Sequence, residues 1–329
     1  MNADLTRPFS SDEVQQTLDQ MHPPKSPGPD GMSPIFFPKF WHIVVYKLAS
    51  KAIVNRLKLL LGSNISESQL AFVPSRLIID NVMVAHEFNQ FPAHKYWGSS
   101  QQISLKLNIS TTYDQVEWIF LERVLTRLGF HAKFVTLIMH CVSSVSFLFL
   151  LNGVIFGSLK SKSGLRQGDP LSPYLFSLCA EDFSNLIQQE ERCGNLQGVS
   201  ICRNDPKISH FLFAGDTLIF CQATREVVQC VRTILHLLEA TSGLRMNMSK
   251  LAVVFSKNTP LLVRTELLAG LGVPMVLKHD KYLGFPSVFG HSKRAVFDSI
   301  KDHIWRKINS WSAKKLSQAS RMVMFKSVL

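Results

Sequence analysis

A chain of 329 residues with 46% hydrophobic side chains has enough apolar mass for one large domain or two or three sub-domains, and it is excluded from the disordered class. The net charge of +12 points to a polyanionic partner, either nucleic acid or an acidic membrane surface. Between Lys278 and Leu329 lie 11 Lys/Arg and 3 Asp/Glu, so +8 of that excess sits in one stretch; a single solvated basic helix explains the same charge.

Ser10–Met21 reads as a helix opened by a capping box of Ser10 and Glu13, with Val14, Leu18 and Met21 on one face. The prolines and glycines of His22–Met32 exclude regular structure and make a stiff loop carrying Lys25. Tyr46–Leu61 is helical again, with Gly62 as its stop. After Pro74 a second helical run reaches Glu87, in which Arg76 and Asp80 are spaced to pair. Ile103–Leu107 alternates as a strand and leads through Asn108 to Tyr113-Asp114. A helix follows from Glu117 to a stop at Gly129. Phe147–Leu159 forms a hairpin around Asn152-Gly153. Ser163–Phe176 is a loop carrying Arg166, Gln167 and Asp169, and Gly168 in it permits a close backbone approach. Pro173 suits the first turn of a helix through Gln189.

Two apolar runs, Ile208–Phe213 and Thr217–Cys221, flank Ala214-Gly215-Asp216. They read as a β-hairpin in which Gly215 supplies the positive φ of the turn and Asp216 stands at the tip. On local grounds Asp216 is either a turn residue or a group displayed for chemistry. Thr224–Thr241 is a helix closed by Gly243, Leu251–Phe255 a short strand, and Lys281–Phe289 a strand and turn. Phe297, Ile300, Ile304, Ile308 and Trp311 then recur at helical spacing in a basic amphipathic helix. This order predicts an α+β domain with a mainly antiparallel sheet and helices packed on one face. The six cysteines show no CxxC pair, so neither a zinc site nor a disulfide framework is expected, and reduced thiols suit an intracellular protein. The N-terminus is polar, unlike a signal peptide. The most apolar run, Phe134–Leu151, is broken by His140, Ser143, Ser144 and Ser146, which argues against a membrane span.

Six blocks then fall in one order: KSPGPDG (Lys25–Gly31), YKLASKAIVNRL with QLAFVPSRLIIDN, SGLRQGDPLSP (Ser163–Pro173), SGLRMNMSK (Ser242–Lys250), KYLGFPSVFG (Lys281–Gly290) and LSQASRMVMFKSVL (Leu316–Leu329). Together they resemble the reverse transcriptase domain of plant LINE-type, non-LTR retrotransposons. The resemblance implies a right-hand polymerase fold: truncated fingers over residues 1–100, a palm over 101–285, and the start of a thumb over 286–329. It implies RNA-directed DNA polymerisation with an RNA template, a DNA primer, dNTPs and Mg²⁺ or Mn²⁺. In such enzymes two ions activate the primer hydroxyl, clamp the triphosphate and stabilise the leaving pyrophosphate.

The sequence departs from that pattern where the ions would sit. Asn108 stands at the family's first Asp position, and Gly215-Asp216 replaces its Asp-Asp pair, so Asp216 is the surviving metal carboxylate. A fingers segment between the blocks around Trp41 and Tyr46 is missing, and Thr111 stands where the family has Lys. The resemblance places Tyr113 under the nucleotide sugar, and Arg166, Gln167 and Gly168 near template and nucleotide. A buried core tyrosine and an ordinary helix start are the structural alternatives for these positions, and Asp114 is expected to have a structural partner. The expected outcome is a polymerase fold without polymerase activity; the alternative is a non-catalytic RNA- or DNA-binding module.

Overall fold

The computed structural model describes residues 2–20, 41–80, 101–110, 113–151, 154–200, 206–272, 281–283 and 285–286, with scattered positions in 82–87 and 298–309. The chain divides into two compact units. One holds residues 1–8 and 53–288; the other holds 9–52 and 289–329.

In the second unit, α2 (Ser11–Gln20) is opened by the expected capping box. Ser10 N–H donates to Glu13 Oε2 over 3.0 Å, and Glu13 N–H donates to Ser10 Oγ over 3.3 Å, satisfying two otherwise orphaned donors. The inward residue of α2 is Thr17, while Leu18 is exposed. The apolar face read from the sequence is therefore displaced by one residue, and Thr17 tolerates burial because its hydroxyl donates to Glu13 O.

The larger unit is built on a five-stranded antiparallel sheet. Its central strand is β1 (Gln102–Ser110). On one side β1 pairs with β5 (Asp216–Gln222), from Gln102↔Gln222 to Asn108↔Asp216. On the other it pairs with β7 (Ala252–Phe255) and, further along, with the two-residue β6 (Arg245–Met246). β4 (His210–Phe213) closes the far edge as the hairpin partner of β5. Strand periodicity assigns the faces. Ile103, Leu105, Leu107 and Ile109 of β1, with Ile219 and Cys221 of β5, enter the main core. Leu218 and Phe220 point the other way, into a smaller cluster with Phe211 and Tyr282.

Helices cover the main-core face, as the α+β reading expected. α3 (Trp41–Asn64) contributes Ile53, Leu57 and Leu61; α4 (Trp118–Arg127) contributes Leu121 and Leu125; α5 (Ala132–Ser143) contributes Phe134 and Ile138. α6 (Ser172–Arg192) runs through the middle with Phe176, Cys179 and Phe183 fully buried, and Pro173 lies in its first turn. α7 (Arg225–Ser242) is closed as read by Gly243, at φ +75°, and Thr224, read as its first residue, caps its start, its side chain accepting from Val227 N–H. α8 (Leu261–Leu271) packs beside α7 and ends at Gly272. Outside the sheet, β2 (Ser146–Leu151) and β3 (Val154–Lys160) form a separate hairpin, and β8 (Lys281–Tyr282) pairs with β9 (Phe285–Pro286). A short helix, α1 (Asn2–Thr6), completes this unit. None of the described helices is long and apolar enough to cross a membrane.

Two further local expectations differ from the structure. α3 continues through Gly62 to Asn64, because Asn64 Nδ2 and Ser63 Oγ donate to Leu60 O and carry the last turn past the glycine. Arg76 does not turn to Asp80. Its guanidinium donates to the carbonyls of Ser66, Gln69 and Ile65, where a planar fork ties three oxygens of one loop, and Asp80 caps Leu77 N–H instead. The Lys25 loop, Thr111, most of the basic helix after His291 and the block Leu316–Leu329 lie outside the described residues.

Candidate active site

The β4–β5 hairpin turns on two residues, Ala214 and Gly215, and Asp216 is the first residue of β5, paired with Phe213. The left-handed conformation falls on Ala214, at φ +52°, and not on Gly215. Both common two-residue hairpin turns place positive φ at their first central position, and one of them there alone, so Ala214 carries the strain here. Gly215 is locked from the neighbouring strand, since Ile109 N–H donates to its carbonyl over 2.9 Å.

That hydrogen bond carries the β1–β5 ladder past its last paired position, where Asn108 lies directly opposite Asp216. Both side chains are half-buried and stand on the sheet face away from the main core, two residues beyond Lys106 and Leu218. Asn108 Nδ2 donates to Asp216 Oδ1 over 2.7 Å. The backbone of Asn108 is held from the other side as well, its carbonyl accepting from Asn247 N–H over 2.8 Å. The strand end at Asn108 and the hairpin residues Gly215 and Asp216 are thus brought together, presenting an amide, a bare glycine and one carboxylate.

A second group forms where the chain leaves β1. Tyr113 is half-buried against Phe176 of α6, with ring centroids 5.4 Å apart and an edge-on geometry, and burial raises the pKa of its phenol. The 113–116 turn is stitched to the loop before α6: Leu165 N–H donates to Tyr113 O over 2.6 Å and Gly164 N–H to Val116 O over 2.8 Å. Gly164 sits at φ +89°, and a β-carbon there would lie 2.7 Å from Asp114 O. Gln167 Nε2 reaches both oxygens of Asp114 at 3.3 Å, which gives Asp114 the structural partner expected of it. Arg166, Gln167 and Gly168 are exposed, and Gly168 takes φ +82°. Gly164, which the sequence does not single out, lets these two loops touch, because only a residue without a β-carbon fits against Asp114 O.

The chain matches, over residues 26–287, the sequence model of the family described as reverse transcriptase (RNA-dependent DNA polymerase). It is 50% identical over 70 residues to an uncharacterized mitochondrial protein of Arabidopsis thaliana, covering 21% of this chain and 57% of that protein. It is 26% identical over 295 residues to the uncharacterized 149 kDa protein of transposon TX1 of Xenopus laevis, covering 75% of this chain and 22% of that protein. The chain therefore spans less than two thirds of either relative. Among solved structures, telomerase from Candida tropicalis in complex with a fragment of telomeric RNA aligns at a TM-score of 0.49 and 13% identity, over 90% of this chain and 48% of that one. The apo telomerase truncated from its C-terminal domain aligns at 0.47 and 14%, over 68% and 42%.

The divalent ions implied by the resemblance can be tested against the donor set. Mg²⁺ needs hard oxygen ligands in near-octahedral array. Among the described residues no group of three or more His, Cys, Asp or Glu side chains converges as a metal site. At the strand ends stands a single carboxylate, Asp216, whose Oδ1 accepts the Asn108 amide, and opposite it Asn108 offers a neutral amide where a second negative oxygen ligand would be needed. The residues present do not fit a two-ion site.

Proposed function

The chain belongs to the reverse transcriptase (RNA-dependent DNA polymerase) family, and we propose that it is the reverse transcriptase domain of a non-LTR retroelement that has lost nucleotidyl transfer. The observation that carries this reading is the 2.7 Å hydrogen bond from Asn108 to Asp216 at positions where such chemistry needs carboxylates converging on metal ions. Metal stabilisation of developing charge contributes several kcal/mol, and about 1.4 kcal/mol is tenfold in rate, so removal of most of the cage costs many powers of ten. On this reading residues 101–285 form the palm, the region before it is a shortened fingers, and the chain after residue 285 begins a thumb. Tyr113, Arg166, Gln167 and Gly168 keep the places of nucleotide- and template-facing residues, and Asp216 is a remnant of the metal site.

Primer extension on a poly(rA)/oligo(dT) duplex with Mg²⁺ or Mn²⁺ tests it. No incorporation is expected from the chain as it stands. Incorporation that Asp216→Ala abolishes overturns the reading.

A second reading is a non-catalytic binder of RNA or RNA–DNA duplex, favoured by the net charge of +12 and its concentration in the last 52 residues. It requires binding that weakens steeply with salt. A folded sample with no binding at low salt removes it.

A further inference from the structure

Behind the hairpin, on the main-core side, an unbroken row of hydrogen bonds joins three segments distant in sequence. Ser66 Oγ meets Glu181 Oε2 at 3.2 Å, Ser66 Oγ meets Ser184 Oγ at 2.9 Å, and Ser184 Oγ meets His210 Nε2 at 2.8 Å. The other ring nitrogen, Nδ1, meets Ser209 Oγ at 2.8 Å. Glu181 and His210 are 4% and 2% exposed. Glu181 and Ser184 lie on α6, Ser66 on the loop after α3, and His210 opens β4, the strand that leads to Asp216.

We propose that this row is a proton-coupled relay in which protonation of Glu181 reverses the direction of every hydroxyl in it and switches the tautomer of His210. The bookkeeping is fixed by each group's donors and acceptors. With Glu181 ionised, Ser66 O–H donates to Oε2. Ser66 Oγ then accepts from Ser184 O–H, and Ser184 Oγ accepts from His210 Nε2–H. Nδ1 carries the lone pair and accepts from Ser209 O–H. With one proton added at Glu181 Oε2, that O–H donates to Ser66, Ser66 O–H donates to Ser184, and Ser184 O–H donates to Nε2. The ring proton then stands on Nδ1 and donates to Ser209 Oγ. Each state has one proton on the imidazole, which stays neutral throughout, and the two states differ by the single proton at Glu181.

A cavity of about 310 Å³ between α4 and α6 is lined by Glu181, Asp182, Arg127 and Gln189 among others. The charged groups that act on Glu181 are few. Burial raises its pKa, while hydrogen bonds from the Ser66 backbone and hydroxyl and the charge of Arg76, from the 66–76 loop, lower it; Asp182 and Arg127 line the same cavity. His210 is kept neutral by burial. Gln188 Nε2 also approaches Ser184 Oγ, at 3.5 Å, and a donor there is compatible with both directions of the row.

The relay is independent of whether the chain incorporates nucleotides. It is read by ¹⁵N NMR of histidine side chains on the full-length protein between pH 5.5 and 8.5, with His210 assigned from the spectrum of His210→Gln. The expected result is a change of His210 from the Nε2–H form at high pH to the Nδ1–H form at low pH, with a midpoint near pH 7 and no imidazolium signal. In Glu181→Gln the pH dependence disappears. In Ser184→Ala the row is cut, Glu181 still titrates by carboxyl ¹³C NMR, and His210 no longer follows it. A single His210 tautomer across the range, or a switch that persists in either variant, overturns the proposal.

Discussion

Asn108 and Asp216 face one another across β1 and β5, joined by a 2.7 Å hydrogen bond from amide to carboxylate. A neutral donor thus holds the carboxylate at the end of the two central strands. In Asn108→Asp the donor is lost and a second negative charge takes its place. We expect a loss of about 1–3 kcal/mol in chelator, with added Mg²⁺ recovering part of it because a cation then has two carboxylates to bridge. Thermal unfolding with and without Mg²⁺ measures both. A variant as stable as the parent in chelator contradicts the structural role given to the pair.

Gly164→Ala is expected to be among the more damaging changes outside the core. Its φ of +89° is costly for alanine, and the new β-carbon would meet Asp114 O at 2.7 Å. The loops on either side are backbone-bonded, so neither yields easily. A loss of about 2–4 kcal/mol is expected, read from the urea midpoint with an unchanged slope. A neutral Gly164→Ala shows that the 113–116 turn moves freely.

Phe176→Ala removes a fully buried ring and the surface on which Tyr113 rests. A cost of about 3–5 kcal/mol is expected. Because burial raises the Tyr113 pKa, opening the cavity should also bring that pKa back toward 10.0, the ordinary tyrosine value. Ultraviolet titration of the tyrosines, compared with Tyr113→Phe, follows it.

Two buried groups act in opposite directions on stability with pH. Burial holds the His210 pKa down to about 4, so the unfolded chain binds a proton first and stability falls as pH drops below about 6.5. Burial raises the Glu181 pKa to about 7, so the folded chain keeps a proton that the unfolded chain releases and stability falls as pH rises from 4.5 toward 7. Between about pH 4.5 and 6.5 the two slopes cancel. Glu181→Gln should therefore expose a stability that rises with pH in that window, and His210→Gln one that falls, each by up to about 1.4 kcal/mol per pH unit. Urea unfolding at several pH values checks the signs; equal slopes in the two variants contradict the assignment.

Much of the site region was readable from local chemistry. The runs on either side of Ala214-Gly215 named the hairpin, alternation named β1, and Ser10 with Glu13, Thr224 and Gly243 marked helix ends that the structure places within a residue. The position of the backbone strain was not readable. Gly215 is the residue a sequence offers for positive φ, but the first central position takes it in either hairpin form, and that position is Ala214. Three described helices carry no clear sequence signature, the first being α1, only five residues long. α5 hides in the apolar run before β2, and α8 leaves Leu261 and Leu262 exposed, so neither shows a clean apolar stripe, although Pro260 and Gly272 bracket α8. The row from Glu181 to His210 joins residues more than a hundred positions apart in sequence at its Ser66 step, and only the packed fold brings them into one line. Asn108 opposite Asp216 lies between these cases: both residues are plain in the sequence, whereas the hydrogen bond that joins them depends on strand register.

The most direct measurement is a Mn²⁺ titration, followed by electron paramagnetic resonance without nucleotide, of the chain, of Asp216→Ala, and of the double variant Asn108→Asp with Gly215→Asp. The account predicts that the chain and Asp216→Ala take up Mn²⁺ equally weakly, while the double variant gains a site. Mn²⁺ binding by the unaltered chain that disappears in Asp216→Ala would show that Asp216 still holds a metal and that its bond to Asn108 does not block one.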